Sequence, residues 1–249
     1  MPSEILFADN LSGFSGVRHA FFTREWGNSG FSGQENTRDV GAVRGCMAAH
    51  LAVEPHNLLT CYQVHSPDVV VVAEPWGAED RPRADALVTD KAGIALGVLT
   101  ADCVPVLLVD NGAGVIGAAH AGWRGAVGGV IENTLDAMEQ LGARRKSIQA
   151  ALGPCIWQKS YEVSAEFAAP FLAENPAHER LFRPALKSGH YQFDLPAYVV
   201  AKLHDLGVAS VAVSPADTCA EPQRFFSHRY STLRGEPREG NLMSAIARV

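Results

Sequence analysis

Short apolar runs separated by turn residues occupy the middle of the chain and predict β-strands. The runs are Val69–Ala73, Ala86–Val88, Ile94–Thr100, Pro105–Asp110 and Val115–Ala119. We expect them to form a central sheet. Asn111 and Gly112 lie between two of the runs and favour a hairpin, so part of this sheet is predicted to be antiparallel.

Helical periodicity follows the last of these runs. From Arg124 to Leu141 apolar residues recur at helical spacing, and Gly142 supplies a C-terminal stop. The remaining pattern predicts helices at Ala165–Ala173 and Ala197–Leu206, and strands at Ile148–Leu152, Tyr191–Asp194, Ser210–Val213 and Leu242–Ala247. The polar, Gly-rich stretch Gly27–Arg38 is predicted to be a surface loop. Hairpins with few strict strand–helix–strand alternations favour an α+β fold with mixed sheets over a doubly wound one.

Composition and charge restrict the class of protein. The 249 residues are 47% apolar and 19% charged, which suits one globular domain spanning residues 1–249. A net charge of −6 disfavours a nucleic-acid surface, which needs clustered cations. Met1–Ile5 lacks the start of a signal peptide, and Asp102 and Pro105 interrupt the most apolar stretch, Gly93–Val109. We therefore expect a soluble, cytoplasmic protein without nucleic-acid or membrane partners, whose five cysteines are free thiols.

Three segments at the ends of the predicted strands concentrate chemically able side chains: Gln63–Ser66, Thr100–Cys103 and Ala119–Gly125. They contain His65, Cys103 and His120. A catalytic zinc site commonly uses three protein ligands of these types and leaves a fourth position open. The spacing alone is no zinc signature, because the ligands are far apart and nine histidines allow many arbitrary triplets.

Two further residues near these ligands are candidates for catalysis. His120 precedes a small-residue turn and a predicted helix, whose N-terminus could hold an anion such as phosphate beside Arg124. Taken alone, Arg124 is more simply interpreted as a surface or salt-bridge residue. Asp102 adjoins Cys103, and adjacent strand residues face opposite sides unless the backbone bends. We therefore assign Cys103 to the metal and Asp102 to ligand support or proton transfer, with a turn or capping aspartate as the alternative.

Taken together, the segments resemble the YfiH family, also called DUF152 or the polyphenol oxidoreductase "laccase" family, which is now associated with purine nucleoside phosphorylases. The matching stretches are CYQVHSPDVVVV (61–72), ADALVTDKAGIALGVLTADCVPVLLVD (84–110), GVIGAAHAGWRGAVGGVIENTL (114–135), ALGPCIWQKSYEVSAEF (151–167), FDLPAY (193–198) and RFFSHRYSTLRGE (224–236). The similarity covers most of the chain from Arg18 onward.

The resemblance implies zinc ligands at His65, Cys103 and His120 and a mixed β-sandwich with surrounding helices. It also implies phosphorolysis of adenosine, inosine and methylthioadenosine, together with adenosine deamination. We expect the chain to be a monomer or a small homo-oligomer. The family's SLNxG loop, acidic stretch and NR pair correspond here to residues 30–50. Asn36 matches the loop asparagine and is assigned to substrate binding, but Cys46 replaces the usual residue and the loop is shorter than the family pattern.

Three other functions could be built from the same residues. Cys103 as nucleophile and His120 as base would make a thiol hydrolase, which needs no metal. Copper-dependent phenol oxidation is less favoured, because a multicopper site commonly uses HxH pairs and the nine histidines contain none. Copper bound adventitiously in the same triad could still give weak oxidation in vitro. A structural zinc would instead have a closed fourth position, for which Cys155 is the candidate.

Overall fold

The computed structural model describes residues 4–31 and 37–249, with the backbone alone at residues 37 and 38. The strands are β1 Ile5–Leu6, β2 Val17–Phe22, β3 Leu58–Leu59, β4 Val69–Val71, β5 Ala86–Thr89, β6 Ile94–Thr100, β7 Val104–Asp110, β8 Val115–Ala121, β9 Gln149–Leu152, β10 Glu162–Ser164, β11 Phe182–Pro184, β12 His190–Phe193, β13 Ser210–Val213 and β14 Leu242–Arg248. The helices are α1 Asp9–Ser12, α2 Thr37–His50, α3 Trp123–Gly128, α4 Val130–Gln140, α5 Ala169–Glu174, α6 Leu195–Asp205 and α7 His228–Arg234.

Two large mixed sheets form the centre of the fold. One has the strand order β1-β2-β14-β6-β3 and the other the order β13-β9-β7-β8-β5-β4, while β10, β12 and β11 make a small separate sheet. Strands β7 and β8 pair antiparallel across the turn at Asn111 and Gly112, which confirms the predicted hairpin. Both strands are buried along their whole length, as expected for an apolar run with covered faces.

The sheets pack face to face and helices cover their outer faces. Successive side chains of a strand point to opposite faces. In β7, Leu107 therefore points between the sheets, into a hydrophobic cluster that includes Leu96 of β6. Its neighbour Leu108 belongs to the cluster that includes Leu135 of α4. On the far side, Met47 of α2 packs with the outer face of the five-stranded sheet. The predicted α+β class with sandwiched mixed sheets is confirmed.

The expected single central sheet is wrong in one respect. Strand β6 pairs with β14 and β3 and lies in the five-stranded sheet, whereas β7 lies in the other. The chain therefore crosses from one sheet to the other through residues 101–103. Local apolar patterning predicts strands but does not specify their partners, so the two consecutive runs looked like neighbours.

The long helix predicted over Arg124–Leu141 is divided. Gly129, at φ 100°, adopts a left-handed backbone and separates α3 from α4. The helix predicted at Ala165–Ala173 begins as a 3-10 turn over Ala165–Ala168 and continues as α5. Residues 27–31 have no regular structure, in agreement with the predicted loop, but α2 begins at Thr37. Among the described residues, no helix has the length and apolar character needed to cross a membrane.

Candidate metal site and pocket

The fold gathers the three candidate ligands at one end of the sandwich. His65 lies in the segment between β3 and β4, Cys103 is the last residue of the crossing between the sheets, and His120 lies near the end of β8. One ligand atom from each lies within 4.8 Å of those of the other two. The Sγ atom of Cys103 is 3.9 Å from Nε2 of His65, and the two imidazole centroids are 4.9 Å apart. Such spacings allow one cation to be shared by all three side chains.

The backbone bend required beside Cys103 is present at Asp102, which has φ 101°. Its carboxylate accepts hydrogen bonds from the Thr218 hydroxyl at 2.7 Å and from the Arg229 N–H at 2.6 Å. The Ile156 N–H donates to its carbonyl oxygen at 2.9 Å. Asp102 therefore joins the crossing segment to the first turn of α7, and its role in proton transfer stays a prediction.

Asp85, which the sequence analysis did not single out, lies beneath the ligands and is fully buried. Its Oδ1 accepts from the His65 N–H at 3.0 Å and lies 2.8 Å from Nδ1 of His120. Its Oδ2 accepts from the N–H groups of Val64 at 3.0 Å and Ser66 at 2.7 Å, and from the Ser66 hydroxyl at 3.2 Å. One carboxylate thus contacts both the backbone around His65 and the ring of His120. The sign of Asp85 in the sequence is its position as a single acidic residue immediately before the apolar run that forms β5.

The electrostatics of the site favour charged forms. Burial alone would raise the pKa of Asp85, but hydrogen bonds from His120 and Ser66 outweigh burial and bring that pKa to about 2. Burial would likewise raise the pKa of the Cys103 thiol, yet attraction and hydrogen bonding to His120 lower it below its usual value. The pKa of His120 is raised despite burial, because Cys103 and Asp85 favour its protonated form. Without a metal, the site therefore favours a thiolate beside an imidazolium.

A cavity of about 830 Å³ opens over these residues. Its lining combines the three candidate ligands and Asp102 with four arginines and several aromatic side chains. The arginines are Arg81, Arg124, Arg229 and Arg238, and the aromatic residues are Phe31, Tyr62, Trp123 and Tyr161. Apart from Asp102, no acidic side chain of the described ranges lines it. The cavity is therefore electropositive although the chain as a whole carries −6.

Arg124 lies in this lining, with its Cζ 4.4 Å from the centroid of the Trp123 ring. Helix α3 has six residues and is much shorter than predicted, so the positive charge at this position comes mainly from the Arg124 side chain. The sequence analysis missed the cations Arg81 and Arg229. Both are far along the chain from the ligands, and no local pattern connects them with the site.

The sequence analysis also named Asn36, Cys46 and Cys155. Asn36, assigned to substrate binding, falls outside the described residues. Cys46 is exposed on α2. Cys155 is fully buried and is not part of the three-residue ligand group, and burial raises the pKa of its thiol well above the usual value. Within the described ranges, no fourth Cys, His or acidic ligand joins the group.

The fold matches solved structures of one class. A Neisseria meningitidis DUF152 protein superposes with a TM-score of 0.85 at 30% identity, covering 99% of each chain. YlmD from Geobacillus stearothermophilus also superposes with a TM-score of 0.85 at 30% identity, covering 94% of this chain and 93% of its own. A Bacillus licheniformis protein called YfiH gives the same TM-score at 27% identity. The fold is therefore that of the YfiH and DUF152 proteins.

The sequence comparisons specify the family. Residues 8–249 match the family model described as "Multi-copper polyphenol oxidoreductase laccase". A purine nucleoside phosphorylase of Streptomyces coelicolor is 40% identical over 230 residues, which cover 87% of this chain and 92% of the relative. One of Rickettsia conorii is 39% identical over 190 residues, covering 76% and 78%. The chain belongs to this laccase-like family, and relatives within it are named purine nucleoside phosphorylases.

Proposed function

We propose that this chain is a zinc-dependent purine nucleoside phosphorylase acting on adenosine, inosine and methylthioadenosine. The observation that carries the proposal is one cavity that combines a His–Cys–His ligand group with several arginines. Its volume is of the size that small-molecule sites have. The names of the Streptomyces and Rickettsia relatives support the same reaction class.

The donor atoms suit zinc. Zinc binds imidazole nitrogen and thiolate sulfur, and the lowered pKa of Cys103 favours the thiolate. Copper accepts the same ligands, but a multicopper oxidase needs further ligand groups. The part of the chain that the structure describes contains a single such group. When bound at three protein ligands, zinc supplies a Lewis acid with an open coordination position.

Phosphorolysis needs an anion site next to the ribose. A phosphate oxygen forms a bond to C1′ as the bond from C1′ to the purine nitrogen breaks, and the electron pair leaves with the base, which takes up a proton. The cavity cations Arg124, Arg81 and Arg229 can attract the phosphate, and their charge acts more strongly in a cavity than in open water. We assign the direct phosphate contact to Arg124, which is the closest of these along the chain to the ligand His120.

Asp102 is our candidate for carrying the proton to the leaving base. It lines the cavity, and its carboxylate, held in place by Thr218 and Arg229, can take the proton that the attacking phosphate gives up and pass it to the base. The Asp102→Asn variant should retain zinc but lose turnover. A Thr218→Val variant keeps the carboxylate and is its matched control for stability. If Asp102→Asn turns over nucleosides at the wild-type rate, Asp102 serves only to hold the crossing segment.

The proposal extends to adenosine deamination. Here water replaces the amino group at the purine C6, and ammonia leaves. The supporting observation is the ligand count, since three ligands among the described residues leave zinc a position that a closed structural site would not have. Deamination should not depend on phosphate, which separates it from phosphorolysis.

Product analysis of pure, zinc-loaded protein tests the proposal. Adenosine, inosine and methylthioadenosine are incubated with and without phosphate, beside the ligand variant His120→Ala and the control His204→Ala at an exposed position of α6. We expect phosphate-dependent release of the free base by wild type and His204→Ala, and none by His120→Ala. Inosine formed from adenosine without phosphate would support deamination. No turnover of any nucleoside by zinc-loaded wild type would overturn the proposal.

A thiol hydrolase is the second candidate, because the shifted pKa values of Cys103 and His120 favour a thiolate–imidazolium pair. Chelation separates the two. Loss of activity on metal removal and its recovery with zinc support the phosphorylase, whereas a hydrolase would work at full rate after chelation and stop on alkylation of Cys103.

A further inference from the structure

We infer that Asp85 is a positioning residue that sets both histidines of the metal site through a single carboxylate. The inference rests on the proposed zinc site and concerns how this chain prepares that site. Asp85 is fully buried at the start of the β5 region and contacts the backbone on both sides of His65 as well as the ring of His120.

The contact with His120 determines which ring nitrogen can bind a cation. An ionised carboxylate only accepts hydrogen bonds, so the Nδ1 atom of His120, 2.8 Å from Asp85, carries the hydrogen. A neutral imidazole then has its lone pair on Nε2. Asp85 therefore leaves the lone pair on Nε2 of His120 available to a cation. It prevents the alternative tautomer, in which the hydrogen is on Nε2.

The contacts around His65 fix its backbone. His65 has φ 61°, a left-handed conformation that is unfavourable for a residue with a side chain. Three consecutive N–H groups, those of Val64, His65 and Ser66, converge on the Asp85 carboxylate at 2.7–3.0 Å. These charge-assisted hydrogen bonds stabilise the bend that directs His65 towards the other ligands.

The charges are matched as well. The Asp85 carboxylate and a Cys103 thiolate together carry two negative charges, which balance the charge of a divalent cation held between His65, Cys103 and His120. An asparagine at position 85 would remove one of these charges. It would also place an amide NH₂ either against Nδ1 of His120 or against the N–H groups of Val64 and Ser66. Either orientation brings donors together, so the isosteric amide cannot replace the carboxylate.

The test compares Asp85→Asn with Ser66→Ala, which removes one 3.2 Å hydroxyl contact to Asp85 but keeps the Ser66 N–H. Zinc affinity of the metal-free proteins is measured by competition with a chelator. Asp85→Asn should lose roughly 10- to 100-fold in affinity, the usual effect of removing a hydrogen-bond partner of a ligand. Ser66→Ala should stay within about threefold of wild type. An unchanged affinity in Asp85→Asn overturns the inference.

A second measurement uses wild type alone and does not depend on whether a variant folds. Protein with isotope-labelled histidine is loaded with NMR-active cadmium, and nitrogen–cadmium coupling identifies the bound nitrogen. We expect coupling to Nε2 of His120 and a hydrogen on Nδ1; coupling to Nδ1 overturns the inference. Nucleoside turnover is measured in parallel. Wild type with the expected coupling and no turnover contradicts the proposed function alone, whereas turnover with unchanged zinc affinity in Asp85→Asn contradicts this inference alone.

Discussion

Gly122, the residue that caps the N-terminus of α3, leaves just enough room for two of the proposed ligands. A Cβ added there would lie 2.7 Å from Cδ2 of His65 and 3.1 Å from Sγ of Cys103. Ordinary contacts begin near 3.4 Å, so the His65 ring would have to retreat by about 0.7 Å. Metal ligands tolerate deviations of only about 0.2 Å, and the His65 backbone is held by Asp85.

The Gly122→Ala variant should therefore bind zinc roughly 10- to 100-fold more weakly than wild type. Its fold should persist, because Gly122 has φ −70° and ψ 157°, which alanine adopts without strain, and the obstructing His65 ring is exposed. We expect the free energy of unfolding of the metal-free protein to change by less than about 1 kcal/mol.

The assay is chelator competition on metal-free protein, with urea denaturation of the same samples. The matched control is Gly128→Ala at the other end of α3, where a new Cβ meets Pro67 at an ordinary 3.8 Å. Gly128→Ala should bind zinc like wild type. The Cβ added at Gly122 would displace the His65 ring from a cation that it shares with Cys103. Wild-type affinity in Gly122→Ala would therefore refute the proposed ligand geometry.

Three further predictions concern other parts of the chain. Arg124→Ala should raise the phosphate KM about 10-fold or more and Arg124→Lys less, in steady-state kinetics; an unchanged phosphate KM would contradict the assigned contact. Burial lowers the pKa of His19 to about 4, whereas the unfolded chain has the usual 6.5 and takes up a proton first as the pH falls. Stability should thus decrease from about pH 7 down to about pH 4, by up to about 3 kcal/mol, in urea denaturation, and His19→Gln should abolish this part of the slope. Gly153→Ala should lose about 1–3 kcal/mol and melt at least about 2 °C lower in calorimetry, because its Cβ would lie 2.2 Å from the buried Phe21 ring; an unchanged Tm would contradict this packing.

The strands were the most predictable part of the fold. The runs that became β6, β7 and β8 are continuous and apolar because both of their faces are covered. Their sheet membership was not predictable, since pairing depends on residues distant in sequence, such as Leu242 opposite Thr100. Helix α2 was missed because Gly41 and Gly45 weaken helix propensity and its apolar face is narrow.

In the candidate site, too, some residues could be predicted from the sequence and others could not. His65, Cys103 and His120 could be proposed from residue type and family resemblance, and the structure brings them together. Asp85 could not, because a carboxylate that supports ligands has no characteristic spacing from them. Its role becomes visible only when the segment before β4 folds over the start of β5 and directs its N–H groups at one acid.

Strand β14 lies between β2 and β6 and completes their sheet. The ribosome synthesises β2 and β6 early, whereas β14 is the last strand of the chain to be synthesised. While the chain is being synthesised, β2 and β6 each emerge from the ribosome with one edge unpaired, and these two edges stay open until residues 242–248 follow. Sheets with such distant pairings form slowly, and open edges invite aggregation meanwhile. The five-stranded sheet must therefore close late, and a nascent chain arrested before residue 242 should be a substrate for chaperones rather than a folded intermediate.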